Sequence, residues 1–227
     1  LFGDEHPYGT PVQGRSETVE RLGRADLASF HARHFRPGSA AWVVAGDVDP
    51  DALAARLDAL LGGWAGGGAE PSGAPAPARP SRNRILLLDR PGAPQAVVRA
   101  GQVGVHRLDP DYLPLLVLNQ VLGGLFTSRL NERLREERGL TYGIRSHVEA
   151  RRDSGLFGIG ASLQADRLGE AIAEIRAELA ALLGERPATE SELADARRFL
   201  IEGQARQFES PSALVSRFAG LFLHGLP

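Results

Sequence analysis

Residues 122–142 read LGGLFTSRLNERLREERGLTY. Gly123-Gly124 interrupts an apolar run and marks a hinge. The arginine-rich stretch that follows reads as an amphipathic helix over 127–138, and Gly139 gives the chain a place to turn. A strand then opens at Tyr142. Hinge, charged helix, turn and strand within so few residues set the pattern for the rest of the chain.

Around this segment the sequence alternates strands and helices. Helices are expected at 24–34, with Leu27, Phe30 and His34 on one face, and at 51–61, where Asp49 caps and Pro50 takes the first position. The second of these is expected to bury Leu53, Leu57, Leu60 and Leu61. Further helices are expected at 109–122, 166–183, 190–208 and 210–223. The helix at 190 opens with a capping box, Thr189-x-x-Glu192. Strands are expected at 40–48, 85–89, 95–103, 142–150 and 155–163, the last two forming a hairpin through Arg151–Ser154. Residues 62–82 are rich first in glycine and then in proline, with Trp64 the sole large apolar group, and read as a linker. Residues 43–61 and 157–183 look like faint copies of one strand–turn–helix unit. Together these predict an α+β fold in two layers, a mostly antiparallel sheet covered by helices, duplicated and truncated at its end.

Composition narrows the chemistry. The chain has 227 residues, 43% hydrophobic and 24% charged, with a net charge of −2, which gives no electrostatic reason to bind nucleic acid or an acidic membrane. No apolar run approaches the roughly 18–20 residues that span a bilayer. There is no cysteine, so thiolate zinc sites and disulfides are excluded, leaving histidine and carboxylates as strong metal ligands. No methionine occurs, and Leu1 reads as the start of a fragment or processed product. All 26 basic residues are arginine, and without lysine Gly123-Gly124 cannot belong to a phosphate-binding loop. No G-x-S-x-G supports a serine nucleophile. His31 and His34 stand three residues apart on a helix, but Arg33 beside them opposes a dication, so they are expected to bind no metal.

The run LGG-x-F-x-SRL followed by LREERGLTY resembles the C-terminal domain of the pitrilysin/insulinase-type zinc metallopeptidases, the inverzincins, whose relatives include the mitochondrial processing peptidase. The resemblance extends over nearly the whole chain apart from the linker. It implies that residues 1–61 end one peptidase-like domain and 83–227 form most of a second. The family signature H-x-x-E-H, two histidines and a catalytic glutamate on one helix, is absent here. By resemblance, therefore, zinc belongs to the parent or to a partner, and none is held by this chain.

What the resemblance assigns here is an arginine–tyrosine pair, Arg135 and Tyr142, as contacts to the substrate and transition state. A guanidinium is a rigid fork of donors suited to a peptide carbonyl. A phenol can donate to the oxygen that gains charge when water attacks. Gly123, Gly124 and Phe126 are implied as substrate-binding. The bland reading is that this arginine helix is a solvated face paired with Glu132, Glu136 and Glu137. Implied partners are a peptide, captured in extended form at a sheet edge within a closed chamber, and a zinc-bearing domain or subunit in a homo- or heterodimer. A non-catalytic partner subunit and a structural core subunit are the alternatives. The chain alone is expected to show no metal-dependent peptidase activity; zinc-restored cleavage by the pure chain would overturn this reading.

Overall fold

A computed structural model describes residues 1–68, 73–77 and 83–227. In chain order the helices are α1 (Ser16–Val19), α2 (Arg24–His34), α3 (Pro50–Leu61), α4 (Tyr112–Asn119), α5 (Arg129–Asn131), α6 (Leu168–Leu183), α7 (Glu190–Ala205) and α8 (Pro211–Leu223). The strands are β1 (Gln95–Gly104), β2 (Thr141–Ala150) and β3 (Gly155–Gln164). The chain divides into two units, Leu1–Gly3 with Ala76–Gly203, and Asp4–Pro75 with Gln204–Pro227. Residues 69–72 and 78–82 of the expected linker lie outside the described residues.

The first unit is an α+β layer built on an antiparallel sheet in the order β1-β3-β2. Strand periodicity sets its two faces. Ile159, Ala161 and Leu163 of β3 and Ile144 of β2 point inward, and Leu122, Leu130, Leu134, Ala171, Ile175 and Leu182 pack over them from the helices. Leu130, Leu134, Leu140 and Ile144 are almost wholly buried, each worth about 1.5–3 kcal/mol. The hairpin through Arg151–Ser154 is closed by Arg151 N donating to Ser154 O at 2.8 Å. The capping box of α7 is present: Thr189 N donates to Glu192 Oε2 at 2.8 Å and Glu192 N to Thr189 Oγ1 at 3.2 Å.

In the second unit α2 and α3 lie where the sequence places them. Asp49 Oδ1 caps α3 by accepting from Asp51 N and Ala52 N, and Ser210 caps α8 through Ala213 N. His6 is buried, its Nε2 against Pro75 O at 2.8 Å and its Nδ1 accepting from Tyr8 N at 3.0 Å.

Several expectations need correction. Residues 40–48 form no strand, and Trp42 and Val44 are exposed. Residues 85–89 form none either, and Ile85 to Leu88 are 77–98% exposed. The reason is common to both: a strand exists by laddering with a neighbour, and no described strand pairs with these segments. The faint repeat consequently keeps its helix but not its strand in the first copy. On α2 and α3 the apolar faces are present yet Leu27, Phe30 and Leu60 remain exposed.

The last correction concerns the stretch Tyr112–Glu137, which is long and apolar enough by length and composition to cross a bilayer. It does not run straight. α4 widens into a π turn over Gln120–Gly124, and Leu125 and Ser128 are extended. Its side chains Val121, Leu122, Leu130 and Leu134 are buried in the protein. The expected helix at 127–138 begins instead at Arg129 and widens into a second π turn over Glu132–Glu137.

Gly123 makes this path possible. A Cβ there would stand 2.6 Å from Ser146 Oγ and 2.7 Å from Ser146 N on β2. Gly123→Ala is therefore expected to lose about 1–3 kcal/mol of stability in urea unfolding, as other overpacked sites do. Gly169→Ala, with nothing within 4 Å, is the control and should stay neutral or gain slightly.

Candidate functional site

The site is built on the turn between the second π segment and β2. Gly139, at φ +60°, reverses the chain. Gly139 N donates to Arg135 O at 3.2 Å and Leu140 N to Leu134 O at 2.8 Å, satisfying the last carbonyls of the helix. Gln164 at the end of β3 fastens the same turn, its Nε2 donating to Gly139 O at 3.1 Å.

Strand β2 then starts with a bulge. Thr141 pairs with Leu163 and Ile144 with Ala161, so Tyr142 and Gly143 have no register partner. Thr141 Oγ1 holds the irregularity, lying 2.6 Å from Ser162 O and accepting from Gly143 N at 3.1 Å. A bulge re-aims the side chain it carries. Here it leaves the Tyr142 ring 92% exposed.

Arg135 and Tyr142 line one cleft of about 330 Å³, together with Gln95, Thr141, Ser162 and Gln164. The Arg135 guanidinium lies over the Phe126 ring, 4.1 Å from its centroid, a cation–π contact that fixes its plane. Of the residues implied as substrate-binding, Phe126 is thus exposed and joined to Arg135. Gly123 is buried against β2, and Gly124 packs against the side chains of Gln120 and Asn119.

The arginines of this helix differ sharply in their commitments. Arg129 is bidentate to Glu192, Nε to Oε1 at 2.6 Å and Nη2 to Oε2 at 2.7 Å, and also donates to the carbonyls of Arg186 and Pro187. Arg133 binds Glu137 at 2.6 Å and Glu174 at 2.7 Å, and Arg138 reaches Glu174 at 3.0 Å. Only the Arg133–Glu137 pair matches the expected partners closely. The rest tie the helix to α6 and α7. Arg135 is different: its nearest carboxylate is Glu136 at 3.5 Å, and its buried Nη1 has no hydrogen-bond partner among the described residues.

Sequence reasoning does not single out Asn131. It is buried, and its side chain binds both main-chain groups of Ile144, accepting from Ile144 N at 3.1 Å and donating to Ile144 O at 2.9 Å. The available signal is an amide between Leu130 and Leu134 on a helix that buries both.

Among the described residues no three His, Cys, Asp or Glu side chains come together to hold a metal ion. His31 stacks on Phe35 and His34 lies against Phe30, with centroids 4.9 and 4.5 Å apart. These residues do not fit a zinc site.

Residues 21–200 match the peptidase M16 inactive domain. The chain belongs to the peptidase M16 family of zinc proteases and corresponds to its inactive domain. It is 34% identical over 222 residues to an uncharacterized zinc protease of Mycobacterium leprae, covering 96% of this chain and 48% of that protein. A second uncharacterized zinc protease, of Bacillus subtilis, is 26% identical over 93% of this chain and 50% of its own length. The chain thus spans about half the length of the curated relatives it matches. Among solved structures, the peptidase M16 inactive domain from Pseudomonas fluorescens superposes with a TM-score of 0.83 at 26% identity, over 100% of this chain and 53% of that one. A chain of Complex III2 from Candida albicans shares the fold, with a TM-score of 0.77 at 20% identity over 95% of this chain and 52% of its own.

The Arg129–Glu192 ion pair carries a pH signature. The hydrogen bonds from Arg129 lower the Glu192 carboxyl from 4.5 to about 2, with the Thr189 contacts adding and burial opposing. A depressed carboxylate stabilises the fold above its unfolded value and loses that contribution as pH falls through its folded one. The contribution of Glu192 should therefore be full above about 4.5 and fade towards about 2. Acid unfolding of Glu192→Gln is expected to be flatter than wild type across that window; identical slopes would show that the pair does not couple to folding.

Proposed function

We propose that this chain is the substrate-contacting half of a two-part zinc metalloendopeptidase. In that enzyme Arg135 and Tyr142 meet a peptide whose scissile bond lies at zinc held elsewhere. On this reading residues 1–61 end a preceding peptidase-like domain, 62–82 link, and 83–227 form the contacting domain. One observation carries the proposal. Every other arginine on this helix is held by carboxylates of neighbouring turns or helices, whereas Arg135 keeps an unpaired Nη1 beside the cleft that it shares with Tyr142. A cation left without its full set of acceptors inside a fold costs stability. Nη1 itself is shut off from solvent, so the guanidinium would meet a peptide carbonyl in the cleft by turning outward.

The chemistry assigned to each group follows from its setting. Phe126 holds the guanidinium plane from below, leaving its edge for an acceptor. The bulge presents the Tyr142 hydroxyl to solvent, where it can donate to a developing oxyanion. Gln95, Ser162 and Gln164 supply amide and hydroxyl groups to an extended peptide backbone in the same cleft. Short or unfolded peptides fit this arrangement, and enclosure by the zinc-bearing half, as domain or as dimer partner, would exclude folded proteins.

Zinc chemistry, when the other half provides it, activates water and polarises the carbonyl. This chain orients the peptide and stabilises charge. The partnerless Nη1 of Arg135 and the exposed phenol favour substrate handling over a purely structural role. In the complete assembly Arg135→Ala and Tyr142→Phe are each expected to lower kcat/KM for a fluorogenic peptide by about ten- to thousandfold. Wild-type kinetics for both would return the pair to a solvated surface.

A further inference from the structure

We infer that Asn131 is a positioning residue, the clasp that sets Arg135 and Tyr142 in a fixed relation to each other; the inference rests on the proposed site. Three segments must be in register for that site to exist: the hinge carrying Phe126, the helix carrying Arg135, and the bulged strand carrying Tyr142. One side chain touches all three. Asn131 Nδ2 lies 2.9 Å from Ile144 O, 3.1 Å from Ser128 Oγ and 3.2 Å from Leu125 O. Its Oδ1 accepts from Ile144 N at 3.1 Å.

Placement gives these bonds their leverage. Arg135 follows Asn131 by about one helical turn. Ile144 is the first residue of β2 back in register after the bulge, two residues beyond Tyr142. Leu125 precedes Phe126, whose ring carries the Arg135 guanidinium. The amide imitates a neighbouring strand, taking both main-chain groups of Ile144 at the point where the ladder resumes. It thereby fixes where the bulge ends, and with it where the phenol emerges. Asn131 is buried and lies outside the residues lining the cleft, so it acts through Arg135 and Tyr142 and not on the peptide. An apolar residue here would leave Ile144 N and O without these partners in the core, and an acid would lose the donor.

A double-mutant cycle tests this in the complete peptidase, the chain together with its zinc-bearing half, using a quenched fluorogenic peptide. Asn131→Ala is expected to lower kcat by about a hundredfold, the scale of a 1 Å misplacement, with a smaller change in KM. In a Tyr142→Phe background the same substitution should cost markedly less, because the share of its effect that runs through the hydroxyl is already lost and only the share through Arg135 remains. Amide exchange supplies a readout independent of turnover: Ile144 should lose protection while Ile159 and Ala161 keep theirs. Asn131→Asp, which preserves size and the acceptor for Ile144 N, replaces the alanine variant if that one melts below the assay temperature. Equal fold-losses in both backgrounds, or unchanged kcat while Tyr142→Phe is slow, would reduce Asn131 to a packing residue and leave the site intact. Tyr142→Phe and Arg135→Ala enzymes both as fast as wild type would remove the site itself and the clasp with it.

Discussion

Backbone meets backbone where the glycine turn crosses β2, and the first unit depends on that approach. With no Cβ at Gly123, the π turn settles directly on Ser146, and the hinge that follows can return the chain at the depth where Leu130 and Leu134 reach Ile144. A side chain at that crossing would lift the helix from the sheet and open the core along its length. The same approach brings Asn131 within reach of the strand edge. Packing and site geometry are thus set by one missing methyl group.

Electrostatics then hold what packing has brought together. Glu174 on α6 receives both Arg133 and Arg138, and Glu192 on α7 receives Arg129 in a two-pronged pair, with Arg129 also donating to the carbonyls of Arg186 and Pro187. Long arginine stems lying between layers cover apolar surface while their heads find carboxylates on a different element. These bonds act as cross-braces on the helix that presents Arg135. The partnerless Nη1 of Arg135 sits among these paired groups, on a helix that the pairs hold in place.

Much of this was legible in residue order, and the failures have physical causes. Helices α2, α3, α6, α7 and α8 announce themselves through caps and local periodicity, because their hydrogen bonds close within a few residues. The hairpin of β2 and β3 reads equally well, since a short charged turn joins its arms. Residues 40–48 and 85–89 carry strand composition without a strand, because strand identity is conferred by a neighbour that composition cannot reveal. Both π segments are invisible in the same way; the extra residue per turn arises where helix and sheet must mesh. Arg135 and Tyr142 stand out through the resemblance of their segment to a peptidase domain, and they do line one cleft. Their support does not stand out. Glu174, Glu192 and Asn131 gain their roles only when distant segments are folded together.

The bulge at the start of β2 has a consequence beyond geometry. Tyr142 projects from two residues that no strand pairs and lies almost wholly in solvent, so the folded state draws little from its ring or its hydroxyl. Folding and chemistry are therefore uncoupled at this position. A chain that loses the phenol would keep the same architecture in the same abundance. Cellular quality control, which responds to unfolding, would not register the loss.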